Sequence, residues 1–452
     1  MQGYDVVVIG GSASGIVAAL TARAYYPDKT VAVVRKEEIT MVPCGIPYLF
    51  GSLDSIEKNV IPNKIFEAND IKLIVDEAVS VDPDGHIVKL NALGDLSYGK
   101  LILATGSRHY VPTWLKGADL PNVFTISKYA DSLKNVVEQL KGVGRIVVIG
   151  GGFIGVEVSD ELCAKSGKDV VLVELRPYIL GSAFDEPIAR KAEDLLRERG
   201  VKIETGIGVK EILSNDGRAS GVLLSDGRTI DADAIVLAMG YKPNVDLADS
   251  AGLSVNSLGA IRVDEYMRTQ VKDIFAVGDC AEKRDFITRR PNPVMLASTA
   301  CAEARIAGVN LYKLSTVKTF NGTIAIFSTR IGDTAFAAAG LIETFAVQEG
   351  VEVIIAEFDG VDRHPGTLPD THKQFVRLIL SPESGIILGA EVVGGPSCGE
   401  LINMLGVCIQ ARMDVVQLAT MQIGSHPLLT AAPTAYPVIK AAEIGMRKLR
   451  RG

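Results

Sequence analysis

Apolar residues follow two periods along this chain. Residues 5–10, DVVVIG, form a continuous apolar run, and residues 14–26, SGIVAALTARAYY, space their apolar positions as a helix does. After the turn PDK, residues 30–35, TVAVVR, return to a strand pattern. Strand, helix and strand in that order predict a βαβ unit. The pattern recurs from residue 144: GRIVVIG reads as a strand, VEVSDELCAKSG as a helix, and KDVVLVE as a second strand ending at Glu174. Three more apolar strands run into small-residue turns: KLILATGS (100–107), ADAIVLAMGYKPN (232–244) and VKDIFAVGDCAE (271–282). Alternating strands start near 318–343, and KQFVRLILSPESGIILGAEVVGG (373–395) reads as a hairpin about SPESG. GELINMLGVCIQARM then takes helical spacing.

Glycines sit where each βαβ unit turns. In GGSASG (10–15), Gly10 makes the tight turn and Gly15 lets the helix pack close, while Ser12 replaces the usual middle glycine. In GGGFIG (150–155) the fingerprint is complete, with Gly150 and Gly152, and Glu174 follows at the spacing of a ribose-binding acid. A carboxylate there favours NADH, and the neighbouring Arg176 leaves NADPH open. The first unit lacks that acid. Its strand ends at Arg35, so Glu37 or Glu38 reaches the ribose, or Arg35 and Lys36 contact the nucleotide.

Composition narrows the class. A chain of 452 residues is too long for one core, so two or three domains are expected. A net charge of −7 argues against nucleic acid as a partner. The start lacks a basic leader and no long apolar run is present, so a soluble, cytoplasmic protein is expected. The six cysteines are scattered without a CxxC pair, which predicts neither a zinc or other metal site nor a disulfide scaffold.

Taken together in this order, the two nucleotide motifs and the three strand-turn motifs resemble the FAD-dependent pyridine nucleotide–disulfide oxidoreductase family. The resemblance covers essentially the whole chain. It implies an α/β fold of two Rossmann-like dinucleotide-binding domains, for FAD and NAD, plus an α+β C-terminal dimerisation domain. The FAD domain would be residues 1–115 and 246–318, the NAD domain 116–245, and the dimerisation domain 319–452. FAD would be held by Gly10, Ser12, Ala13, Ser14, Gly15, Arg35, Lys36, Pro43, Val79, Ala104, Thr105, Gly106, Asp279, Leu296 and Ala297. The pyridine nucleotide would meet Gly150, Gly152, Phe153, Ile154, Glu157, Glu174 and Gly240, with Phe153 covering the flavin until nicotinamide displaces it.

One stretch, MVPCGIPY (41–48), then carries the chemistry. Paired-cysteine members of the family use CxxxxC, but here Tyr48 and Leu49 follow at those positions. PCGIPY resembles the single-cysteine branch of coenzyme A-disulfide, persulfide and polysulfide reductases and NADH oxidases and peroxidases. Pro47 suits a first helical turn, so Cys44 is expected to head a short helix that stabilises its thiolate. A proton donor is expected from the partner chain of a homodimer: His426, Tyr436 or His364. The leading expectation is an NAD(P)H-dependent reductase of a small disulfide, persulfide or polysulfide at Cys44, with Arg23, Lys58 and Lys64 as the cations available to a coenzyme A-linked substrate. The alternatives are an NADH oxidase or peroxidase cycling through a Cys44 sulfenic acid, and a non-catalytic NADH sensor. The other cysteines are expected to be structural, with a resolving role for Cys398 as the exception considered.

Overall fold

The computed structural model describes residues 2–316 and 320–450. The expected boundary at 318/319 lies outside them. Continuous apolar runs become strands buried on both faces, as parallel sheets require. In the first sheet, Gln2–Ile9 lies between Val31–Arg35 and Asp95–Leu103, all parallel. Val6, Val7 and Val8 are fully buried there. Lys72–Val75 extends one side, and on the other Ile274–Ala276 pairs with Leu101–Leu103. An antiparallel ribbon, Ala78–Asp82 and Ile87–Leu90, completes the sheet. Helices Ala13–Tyr25 and Ala297–Val309 pack together closely: a Cβ on Gly308 would meet Thr21 Cβ at 2.7 Å.

The chain leaves this sheet after Leu103 and returns at Ile274. Between them stands a second, all-parallel sheet in the order Val123–Thr125, Ala234–Leu237, Arg145–Ile149, Asp169–Glu174, Lys202–Thr205. Ser107–His109 and Tyr241–Pro243 pair antiparallel where the chain crosses out and back. The helix after GGGFIG is regular only over Phe153–Asp160 and then widens into a π turn, Glu161–Lys165. That turn faces residues 50–52: Glu161 accepts from the Ser52 N–H and hydroxyl, and Ser166 Oγ donates to the Phe50 carbonyl.

The last sheet is antiparallel, in the order Phe327–Ile331, Thr334–Gly340, Ile387–Gly394, Lys373–Leu380, Ile354–Val361. The hairpin about SPESG is present. Helix Cys398–Gln410 buries Leu401, Ile402, Leu405, Cys408 and Ile409, a helical stripe, and leaves Val407 exposed. Asp185 ties this sheet to the second one. Its carboxylate accepts from the Glu343 and Thr344 N–H groups, and its own N–H donates to Glu391. Among the described residues no helix is long and apolar enough to cross a membrane.

Candidate active site

The first cradle is shaped by steric necessity. Gly10 has φ +116°, and a Cβ on it would lie 2.1 Å from the Ala104 carbonyl oxygen. Helix Ala13–Tyr25 starts at Ser12 with no side-chain cap and no acid in its first turn, so its N–H groups stay open to a pyrophosphate. Helix Ala297–Val309, entered at Leu296, is equally open at its start. These features fit a bound dinucleotide. Thr105 donates to the Asn244 carbonyl, which pins the chain just beyond Ala104.

Asp279 sits in the turn after Ile274–Ala276, and buried charges fix that turn. Glu303 is fully buried and accepts from the Gly278 N–H at 2.8 Å. Lys283, also buried, lies 3.5 Å from Glu303 and donates to the Gly278 and Ala281 carbonyls. Burial pushes the Glu303 carboxyl up to about 7, and Lys283 pulls it back. Above the turn, Lys128 donates to Ser107 Oγ at 2.7 Å and to Asp279 at 3.2 Å, and Ser107 donates to Asp279 at 2.6 Å. The Lys128 ammonium stands 4.6 Å from the centre of the Tyr241 ring.

Cys44 is exposed in the first turn of a 3₁₀ helix, Pro43–Phe50. The expected stabilised thiolate needs correction. Burial by surrounding atoms pushes the thiol up, Glu157 pushes it further, Lys128 pulls it back and Asp279 raises it again. A single 3₁₀ segment has too weak a dipole to reverse those terms. Glu157 receives a hydrogen bond from Thr329 Oγ1 at 2.8 Å, across to the C-terminal sheet. Burial pushes its carboxyl up to about 7, Thr329 lowers it and Glu161 raises it. Phe153 stacks on Phe327 at 5.2 Å and meets Phe184 edge-on at 6.1 Å.

Glu157 has a testable consequence. It keeps its proton up to about 7, whereas in the unfolded chain it ionises in the ordinary carboxyl range. Between those limits the folded state binds more protons, so stability falls as pH rises through the window. Glu157→Gln is expected to melt with the wild type near about pH 5 and above it near about pH 8. A melting difference independent of pH would show that burial does not hold this proton.

The second cleft, about 520 Å³, is floored by Gly150, Gly151 and Gly152 and walled by Glu174, Leu175, Arg176 and Met239–Gly240. Glu174 accepts from the Gly151 and Arg176 N–H groups, which orient its carboxylate along the cleft wall. Gly240 has φ +91° and its carbonyl accepts from the Tyr110 N–H. Ile154 and Phe153 open the helix whose N-terminus faces the glycine turn.

Other expected residues take different places. Arg35 stands at the strand position of Glu174, but it is 4% exposed. Its guanidinium is committed to the Glu37 and Glu38 carbonyls, Thr40 Oγ1 and Asn63 Oδ1. These bonds make it part of the scaffold under the cradle, and its stem packs where a Cβ on Gly11 would sit. Lys36 is exposed and donates to Glu77. Glu37 is half-buried, and burial pushes its carboxyl up. Val79 is half-exposed at a bulge in the antiparallel ribbon. Arg23 is tied to Asp70 and to the Pro27, Lys29 and Asn69 carbonyls, so it is not a free phosphate ligand. Lys58 pairs with Asp54, and Lys64 is exposed.

In the C-terminal domain, His364 and His426 lie on loops held together. The His364 N–H donates to the Pro427 carbonyl, and its Nδ1 lies 2.8 Å from the Thr430 carbonyl. That contact places the proton on Nδ1 and leaves Nε2 free. His426 is exposed. Tyr436 is half-buried against its own domain's core, and burial pushes its phenol up. Cys398 is buried beside Gln374, which excludes a resolving role at an open site. Among the described residues no cluster of three or more His, Cys, Asp or Glu could hold a metal.

Residues 4–304 match the family described as pyridine nucleotide-disulphide oxidoreductase, and residues 326–436 match that family's dimerisation domain. The chain belongs to this family. It is an oxidoreductase that works with FAD and a pyridine nucleotide, and it carries the family's dimerisation domain. It is 31% identical over 400 residues to an NAD(P)H coenzyme A polysulfide/persulfide reductase of Pyrococcus horikoshii, covering 86% of this chain and 87% of the relative. It is 28% identical over 459 residues to an NADH oxidase of Methanocaldococcus jannaschii, covering 98% and 99%. Among solved structures it resembles an NAD-dependent persulfide reductase from A. fulgidus, with a TM-score of 0.91 and 30% identity over 99% of this chain and 84% of that one.

Within this family frame, sequence reading missed Lys128, Ser107, Tyr241, Thr329 and the Lys283–Glu303 pair. Ser107 alone carried a usable signal, as the last residue of the KLILATGS turn. Tyr241 lies in the ADAIVLAMGYKPN turn but carried no signal of its role there, and the others come from segments without a motif.

Proposed function

We propose that this protein reduces a small persulfide, polysulfide or disulfide, coenzyme A-linked, with electrons from NADH. The observation that carries this reading is Cys44, exposed and without a second thiol beside it. Cys280, Cys398 and Cys408 are buried, while Cys163 and Cys301 lie on other elements. FAD, when bound, relays the two electrons of a hydride from nicotinamide to sulfur. Cys44 attacks one sulfur of the acceptor and releases the other as a thiol or sulfide, and the mixed disulfide left on Cys44 is opened by two electrons. For a persulfide the balance is RSSH + NADH + H⁺ → RSH + H₂S + NAD⁺. Asp279, held by Lys283 and Glu303 through its turn, positions the ribityl chain. Glu157 lies by the thiol, and its carboxyl, pushed up to about 7 by burial, exchanges its proton around neutrality. His426, Tyr436 and His364 are the candidate donors for the leaving thiol of a partner subunit, and His364, whose Nδ1 proton is held by the Thr430 carbonyl, donates from Nε2 only as the imidazolium.

The M. jannaschii relative favours a second reading, in which oxygen or peroxide oxidises Cys44 to a sulfenic acid. NADH turnover measured with coenzyme A persulfide, coenzyme A disulfide, oxygen and peroxide separates the two. Turnover with a sulfur acceptor is expected to exceed that with oxygen or peroxide by about tenfold or more in kcat/KM. The reverse order assigns the oxidase reading.

A further inference from the structure

We propose that Trp114 is the platform on which the adenine of NADH stacks, and that it sets the affinity of the second nucleotide cleft. The inference rests on the NADH reading above. Trp114 is the chain's single tryptophan, is 60% exposed, and lines the cleft that contains Gly150–Gly152 and Glu174. Leu175, beside Glu174 in the same cleft, is 73% exposed. Two large apolar side chains left open around one polar acid mark a ligand surface rather than an incomplete core.

The dinucleotide's connectivity places the ring. Its pyrophosphate belongs at the N-terminus of helix Phe153–Asp160, and its adenosine ribose at Glu174. The purine, one glycosidic bond further, then falls among the apolar walls beside Glu174. Leu175 leans toward Gly208, with Cδ1 3.3 Å from where a Gly208 Cβ would sit. Trp114 lines the same space. Its backbone is anchored on the C-terminal side: the adjacent Leu115 is buried, and the Lys116 carbonyl accepts from the Ile212 N–H at 2.9 Å. An indole has only two side-chain torsions to lose on stacking, so most of its contact energy appears as affinity.

The test uses the FAD-loaded protein with ferricyanide as acceptor, which removes the sulfur site from the measurement. Two donors are compared, NADH and reduced nicotinamide mononucleotide, which lacks the adenylate. Trp114→Ala is expected to raise KM for NADH about tenfold with kcat changed less than about twofold, and to leave the mononucleotide's kcat/KM unchanged. Calorimetry with ADP-ribose should show a Kd raised by the same factor, and Trp114→Phe should recover most of the affinity. An unchanged ADP-ribose Kd in Trp114→Ala, or an equal loss with both donors, overturns the proposal while leaving the NADH reading intact. A wild type that neither oxidises NADH nor binds ADP-ribose overturns both.

Discussion

Cys44→Ser is expected to keep its flavin and its NADH–ferricyanide turnover within about threefold, while losing about three orders of magnitude of persulfide reduction. The expectation is lopsided because the side chain has one task. Cys44 is exposed, so the exchange of sulfur for oxygen opens no cavity and buries no new polar group. The residues expected to hold nicotinamide and flavin are others, so hydride transfer to an artificial acceptor is expected to proceed without it. What disappears is the nucleophile: a serine hydroxyl stays protonated at any working pH and does not displace sulfur. Flavin absorbance, ferricyanide reduction and sulfide release from coenzyme A persulfide read the three quantities in one preparation. Persulfide reduction at the wild-type rate would remove Cys44 from the mechanism. Loss of ferricyanide turnover as well would mean that the thiol supports hydride transfer itself.

The parts of the molecule that rest on local periods were legible before the structure. The strands Gln2–Ile9 and Arg145–Ile149, the glycine turns after them and the hairpin about SPESG all follow from residues adjacent in the chain. The interleaved layout was an expectation carried by the family resemblance, not by any local period. What could not be read depends on partners distant in sequence. The bond from the Arg35 guanidinium to Asn63, in another segment, had no sequence mark. The aromatic neighbours of Phe153, Phe184 and Phe327, the latter from the C-terminal sheet, also come from distant segments. The identity of Cys44 was legible but its field was not, since Glu157 and Lys128 arrive from the second unit. The π turn at Glu161–Lys165 had no sequence mark either, as its bonds go to residues 50–52.

Substituting the first glycine of each fingerprint should separate the two nucleotide sites. Gly10→Ala is expected to yield a folded chain with less than about a tenth of the wild-type flavin, and Gly150→Ala a fully flavinated chain that NADH no longer reduces at wild-type concentrations. The two positions are geometrically equivalent. Gly10 has φ +116° and Gly150 φ +112°, a region that side chains avoid, and an added Cβ would lie 2.1 Å from the Ala104 oxygen and 2.4 Å from the Ala238 oxygen. Neither obstacle is a flexible side-chain end. Each is a backbone carbonyl one strand away in its sheet, so the glycine turn must shift and carry the helix N-terminus with it. A strained φ of this kind costs on the order of 1–3 kcal/mol, and the displaced N–H groups take the pyrophosphate contacts away in addition. The consequences differ only in which ligand is lost. Flavin content after purification and the absorbance change on adding NADH measure them independently. If Gly150→Ala also lost flavin, the two sheets would be coupled through the Ser107–His109 and Tyr241–Pro243 ribbon, which is the antiparallel pairing where the chain passes between them.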